Sequence, residues 1–277
     1  MRHTTKANYL LSLCAAVLLL IALPAQAQTS QATIEKIIEE TGINRLIAAT
    51  PRLALAALKQ SAFAVDEPKV NSQLNGAFSN AFTTENIERD IQKQLTQNMA
   101  QSLADRYLAL LSKPEWMKLA KMERASSDPK NREEMMQFAE ALKQQAAPAS
   151  RMALIEQLDQ ANRTSEFSTN LQLAFFRSVF SAINPVLDAD MKIDDEELGK
   201  MQDEVRKTIA QDIKQHVQFS YLYAFRTLED AELKRYVELS ESKTNMRSNA
   251  LLTKAVIDSI DKAAQRAARS MRIASKN

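Results

Sequence analysis

LEDAELKRYVELSES, residues 228–242, is the stretch from which the fold is read. Acidic residues crowd a helix start after Leu228, and Leu233, Tyr236 and Val237 then share one helical face. An earlier stretch, LSKPEWMKLAKMERA at 111–125, repeats the device. Glu115 answers to Glu232, Trp116 to Leu233, Leu119 to Tyr236 and Ala120 to Val237. One helical unit written twice is therefore expected, with halves at 28–147 and 148–277.

The likeness extends outward in both directions. Ile34, Ile38 and Glu39 return as Leu154, Leu158 and Asp159, and Ile47 and Leu53 as Phe167 and Leu173. Ile87, Ile91, Leu95, Met99, Leu103 and Tyr107 recur every four residues, the spacing of a helical stripe. Val205, Ile209, Ile213, Val217, Tyr221 and Phe225 carry the same stripe in the second half. Within it, FSYLYAF at 219–225 surrounds the helix with aromatic rings, so this helix is expected to be central.

Composition fixes the class. The chain holds 3 glycines and 7 prolines and is rich in strong helix formers, with no alternating β-branched runs. An all-α protein, two related multi-helix halves packed as a bundle, is expected. Its punctuation is legible. Gly42 follows the first short helix, Pro51 follows Thr50, and Asp128-Pro129 opens another helix. Ser112 with Glu115, and Asp194 with Glu197, have capping-box spacing.

The first 27 residues read as something other than fold. Arg2, His3 and Lys6 precede an apolar run, Pro24 breaks it, and Ala25-Gln26-Ala27 offers small residues to a signal peptidase. A secretory signal cleaved after Ala27 is expected, which places the mature chain in the periplasm. Cleavage removes the only cysteine, Cys14, and lowers Lys plus Arg from 36 to 34, equal to the 34 acids. A chain of zero net charge has no general field for nucleic acid, and a chain without cysteine has no disulfide.

Chemistry is sparse in what remains. Gly42, Gly76 and Gly199 are isolated, so no loop of glycines can cradle a phosphate or a dinucleotide. One histidine, His216, and no cysteine argue against a zinc site. Asp188-Ala189-Asp190 begins like a calcium loop, but Lys192, Ile193 and Gly199 stand where a ligand, the turn glycine and the bidentate glutamate belong. Asp212, His216 and Ser220 lie at four-residue spacing, in the order of a catalytic triad. A single rod supplies no oxyanion hole, so a polar stripe is the expected reading. No enzyme activity and no cofactor are expected. The last basic segment, with Lys262, Arg266, Arg269, Arg272 and Lys276, suits weak contact with an anionic membrane surface.

Phe225, Leu228, Glu232, Leu233, Tyr236 and Ser242, and in the first half Tyr107, Leu111, Glu115, Trp116 and Leu119, form a pattern that resembles a secreted bacterial family catalogued as domain of unknown function 2059. The resemblance implies an exported helical domain and no particular activity. Two functions follow as expectations. One is a non-catalytic interaction or scaffold module for an envelope protein. The other is a periplasmic carrier holding an apolar ligand between the halves. Trp116, Tyr221, Tyr223 and Tyr236 are the expected interaction or ligand surface.

Overall fold

The computed structural model describes residues 29–61, 68–187 and 192–274. The expected signal peptide, its cleavage point and the Asp188-Ala189-Asp190 segment lie outside them. Among the described residues the fold is all-α, with twelve α-helices and no strand. The first part of the chain gives α1 (Gln31–Glu40), α2 (Ile43–Gln60), α3 (Pro68–Ala81) and α4 (Thr84–Asn98). It continues with α5 (Gln101–Leu111), α6 (Pro114–Ser126) and α7 (Arg132–Gln144). The second part gives α8 (Ala149–Asn162), α9 (Thr164–Ile183), α10 (Asp195–Ala224), α11 (Asp230–Ser240) and α12 (Lys243–Ala274).

Several helix ends follow from single side chains. Asp194 caps α10 by accepting from Glu197 N at 2.9 Å, as its spacing predicts. Gly42 turns α1 into α2 at φ 74°, a left-handed conformation that glycine adopts without strain. Arg163 takes the same region, φ 55°, between α8 and α9. These are the two left-handed residues among those described, and they occupy corresponding junctions of the expected halves.

Other punctuation differs. Ser112 does not cap α6: its hydroxyl donates to Leu108 O at 2.8 Å, the end of the preceding helix, and Lys113 holds the cap position. The Thr50-Pro51 step starts no new helix: α2 continues through Pro51. The helical stripe from Ile87 to Tyr107 is broken into two helices at Met99 and Ala100, which are both extended. The hydroxyl of Thr29 donates to the Met99 carbonyl there, and Ser30 N donates to Gln101 Oε1 at 2.9 Å. The break thus docks the start of the described chain.

The centre is α12, not the aromatic helix α10. α12 packs along α3, α4, α5 and α9, and its Ala255, Val256, Ile260, Ala263, Ala264, Ala267 and Met271 are buried. The first half of α10 is largely exposed; only its end enters a core. The alanines that make the C-terminal segment look weakly amphipathic are what admit it to the interior, because short side chains let helices approach closely. Arg266 of α12 reaches Asp90 of α4 at 2.6 Å, fixing the two helices in register.

Two apolar cores result, and neither coincides with a sequence half. The larger joins α1–α5 to α9 and α12. The smaller joins α6 and α8 to the ends of α10 and α11, around Phe225, Leu233 and Tyr236. Arg151 of α8 locks the second core. Its guanidinium donates to Leu228 O at 2.9 Å, to Phe225 O, and to Asp230 Oδ1 at 2.8 Å, tying α8 to the turn that follows α10. Trp116 packs against both cores.

Candidate functional site

Where the two cores meet, the helices leave a cleft of about 380 Å³. Tyr107 and Leu111 reach it from α5, and Trp116, Ala120 and Glu123 from α6. Asn162 comes from α8, Thr164 and Phe167 from α9, Tyr221 from α10 and Tyr236 from α11. Asn249, Leu252, Thr253 and Val256 of α12 form its floor, and Glu40 stands at the end of α1. The volume lies within the usual span of small-ligand sites, roughly 300–1,000 Å³.

Three of the four expected surface residues converge here. The Trp116 and Tyr236 rings meet edge to face at 5.3 Å. Tyr236 meets Phe225 in the same way at 5.6 Å, and Phe225 stacks on Tyr221 at 5.8 Å. Each aromatic thereby holds the next in place. Tyr223 is elsewhere. Two residues on from Tyr221, it points to the far side of α10. There it packs on Phe138 at 5.5 Å, lies under the Arg226 guanidinium at 4.2 Å, and its hydroxyl reaches Asn131 O at 3.4 Å.

The cleft wall carries a network of hydrogen-bonded polar side chains. Tyr107 OH donates to Asn249 Oδ1 at 2.9 Å, and Tyr221 OH pairs with Thr164 Oγ1 at 2.6 Å. Asn162 Oδ1 accepts from Asn245 at 3.0 Å and from Asn249 at 3.5 Å. Tyr236 OH donates to Glu123 Oε1 at 3.4 Å. Removal from water pushes the phenols of Tyr107, Tyr221 and Tyr236 above the usual tyrosine range, so they stay neutral donors.

Glu123 is the unusual member. Removal from water pushes its carboxyl up to about 7, against the opposing pull of the Tyr236 hydrogen bond and of Arg124 and Arg45. A group poised there changes charge near neutrality. Sequence reading passed over it, although a signal was present: Trp116, Ala120 and Glu123 lie on one helical face, so the acid continues a half-buried stripe of α6. Asn245 and Asn249 continue the stripe of Leu252 and Val256 on α12 in the same way.

The triad-like trio forms no such unit. Ser220 Oγ donates to the His216 carbonyl of its own helix at 2.8 Å, the ordinary resting place of a helical serine. Asp212 and His216 line a separate groove with Ser168 and Phe175, without Ser220. Among the described residues no group of histidine, cysteine and carboxylate side chains could hold a metal ion, and no helix is long and apolar enough to cross a membrane. Compared with protein-family models, with curated proteins and with solved structures, the chain matches none.

Proposed function

We propose that this chain is a non-catalytic binding protein of the cell envelope, and that its ligand sits in the cleft between the two cores. One observation carries the reading: Trp116, Tyr107, Tyr221, Tyr236 and Glu123, from four helices, converge on a single ligand-sized space at the seam. Aromatic walls with a few placed polar groups are the usual make-up of a small-molecule site. The proposed origin is a duplicated helical unit, related to the family of domain of unknown function 2059 and exported through its first 27 residues. The cleft takes residues from both expected halves, so neither half would hold it alone.

The chain's one tryptophan lies in the cleft, which gives a direct assay. Small molecules extracted from the producing cells should shift Trp116 emission and raise the melting temperature. Ala120→Phe, which places a ring in the cleft, should abolish both responses. Extracts that leave both signals unmoved, with native mass spectrometry finding no retained small molecule, refute the reading.

An interaction module for another envelope protein is the second reading. Its support is that α7 buries no residue fully and carries Met136 at 63% exposure, while α6 carries Met117 at 55%. Crosslinking from Met136→Cys in intact cells tests it, and absence of any adduct counts against it. Weak contact of the Arg269 and Arg272 side of α12 with anionic lipid stays a proposal of the same kind, tested by vesicle sedimentation.

A further inference from the structure

The chemistry of the cleft narrows what it can hold. Its two ionisable carboxyl groups, Glu40 and Glu123, are both acidic, and among the described residues no lysine, arginine or histidine lines it. Its tyrosine hydroxyls already have partners in Asn249, Thr164 and Glu123. What the rings offer a guest is therefore face and edge, and electron-rich ring faces attract cations. An anionic guest would meet two carboxyl groups of its own sign. A wholly apolar guest would dry Glu123 further and return nothing for it. A cationic nitrogen satisfies both the carboxylate and the rings.

We propose that the cleft binds an organic ammonium ion, its charged nitrogen beside Glu123 and the Trp116–Tyr236 pair, its apolar body on Phe167, Leu252 and Val256. This rests on the binding function proposed above and names its ligand class. Glu123 is faced by Tyr236 of α11 and Tyr221 of α10, with Arg45 of α2 and its neighbour Arg124 near enough to act on its charge. Glu40 stands at the rim. The two arginines leave the carboxyl only partly ionised near neutrality, because removal from water outweighs them. A bound cation supplies the missing counter-charge and holds Glu123 ionised. Uptake is consequently coupled to loss of a proton, and affinity rises with pH through neutrality.

Three probes of nearly one shape test this. Benzyltrimethylammonium carries a charge that does not titrate, neopentylbenzene is its neutral carbon isostere, and phenylacetate is an anion of similar size. Trp116 emission reads binding, with Ala120→Phe as the blocked control. The ammonium should bind at least about tenfold more tightly than the isostere, a difference of about 1.4 kcal/mol. Its affinity should fall about 100-fold between pH 8 and pH 5, as the ionised fraction of Glu123 falls. Glu123→Gln should remove that pH dependence and cost at least about tenfold in affinity. Glu40→Gln, at the exposed rim, should weaken binding by about two- to threefold and does not depend on how well the Glu123 variant folds. Equal binding of the isostere, tighter binding of phenylacetate, no binding of the ammonium, or a flat pH profile overturns the ammonium assignment. If neopentylbenzene or phenylacetate still binds in a manner that Ala120→Phe blocks, the cleft remains a binding site of another class. If no probe binds and the purified protein retains no small molecule, both the ligand class and the binding function fall.

Discussion

Around α12 the helices meet through Ala255, Ala263, Ala264 and Ala267; around the end of α10 they meet through Tyr221, Phe225 and Tyr236. Short side chains let rods approach until little space is left between them. Rings bury more area each, but they are flat, and two of these three carry hydroxyls that must find partners. Those partners are Thr164 and Glu123, polar groups that an alanine core would never require. The alanine core therefore specifies shape, and the aromatic core leaves chemistry at its edge. The cleft lies where one gives way to the other.

Removing a ring is the strongest attempt to break this contrast. Phe225 is fully buried, stacked on Tyr221 and edge-on to Tyr236. Phe225→Ala should cost about 3–5 kcal/mol in urea unfolding and should also loosen the cleft, seen as a shift of Trp116 emission. A cost under about 1 kcal/mol would mean that the rings do not support one another. The opposite change tests the other core. Ala263 is fully buried on α12, and Ala263→Leu should cost about 1–3 kcal/mol through overpacking, leaving Trp116 emission unmoved. Stabilisation by the leucine would show slack where the contrast demands none.

Much of the fold was legible in these residues, and the exceptions share a cause. Composition gave the helices. Asp194 and Gly42 gave their ends, because capping and left-handed turns are local. The break at Met99 was not legible, since the apolar stripe runs unbroken through it and the contacts that use it come from Thr29 and Ser30, far away in sequence. The central place of α12 was missed for a similar reason. Alanine scores as weakly apolar, so a helix that is buried through closeness looks like one that is half-wet. Three of the four aromatics expected at a surface, Trp116, Tyr221 and Tyr236, do line the cleft. Glu123 was not, because an acid on a helix reads as solvated until neighbouring helices close over it.

Glu123 also sets a pH dependence of intermediate size. An ordinary glutamate at 4.5 in the unfolded chain becomes one near 7 in the fold. Below 4.5 both states hold the proton, so the group adds no pH dependence there. Between 4.5 and 7 the unfolded state releases it while the fold keeps it, so stability falls as pH rises. Above that range the loss is constant. Part of the side chain stays in water, which reduces the expected difference to roughly 1–2 kcal/mol. Glu123→Gln should recover it: the variant gains on the wild type between pH 5 and pH 8, as measured by urea midpoints. A parallel pair of pH curves would place the carboxyl in free solvent and remove the chemical distinction between the two cores.

The smallest test compares two tyrosines on successive helices, Tyr236 of α11 and Tyr223 of α10. Tyr236→Phe removes the hydroxyl that donates to Glu123 and helps hold its carboxyl down. The protein should lose about 0.5–1.5 kcal/mol, and Glu123, followed by carbon NMR of its carboxyl, should titrate higher than in the wild type. Tyr223→Phe removes a hydroxyl whose partner, Asn131 O, is 3.4 Å away on the far side of α10. That long bond should be worth roughly 0.5 kcal/mol or less, and the Glu123 titration should not move. The ring of Tyr223 keeps its place under Arg226 in either case. Equal displacement of Glu123 by both variants would mean that α10 transmits changes around its whole circumference, and the cleft could not then be treated as a site distinct from the core behind it.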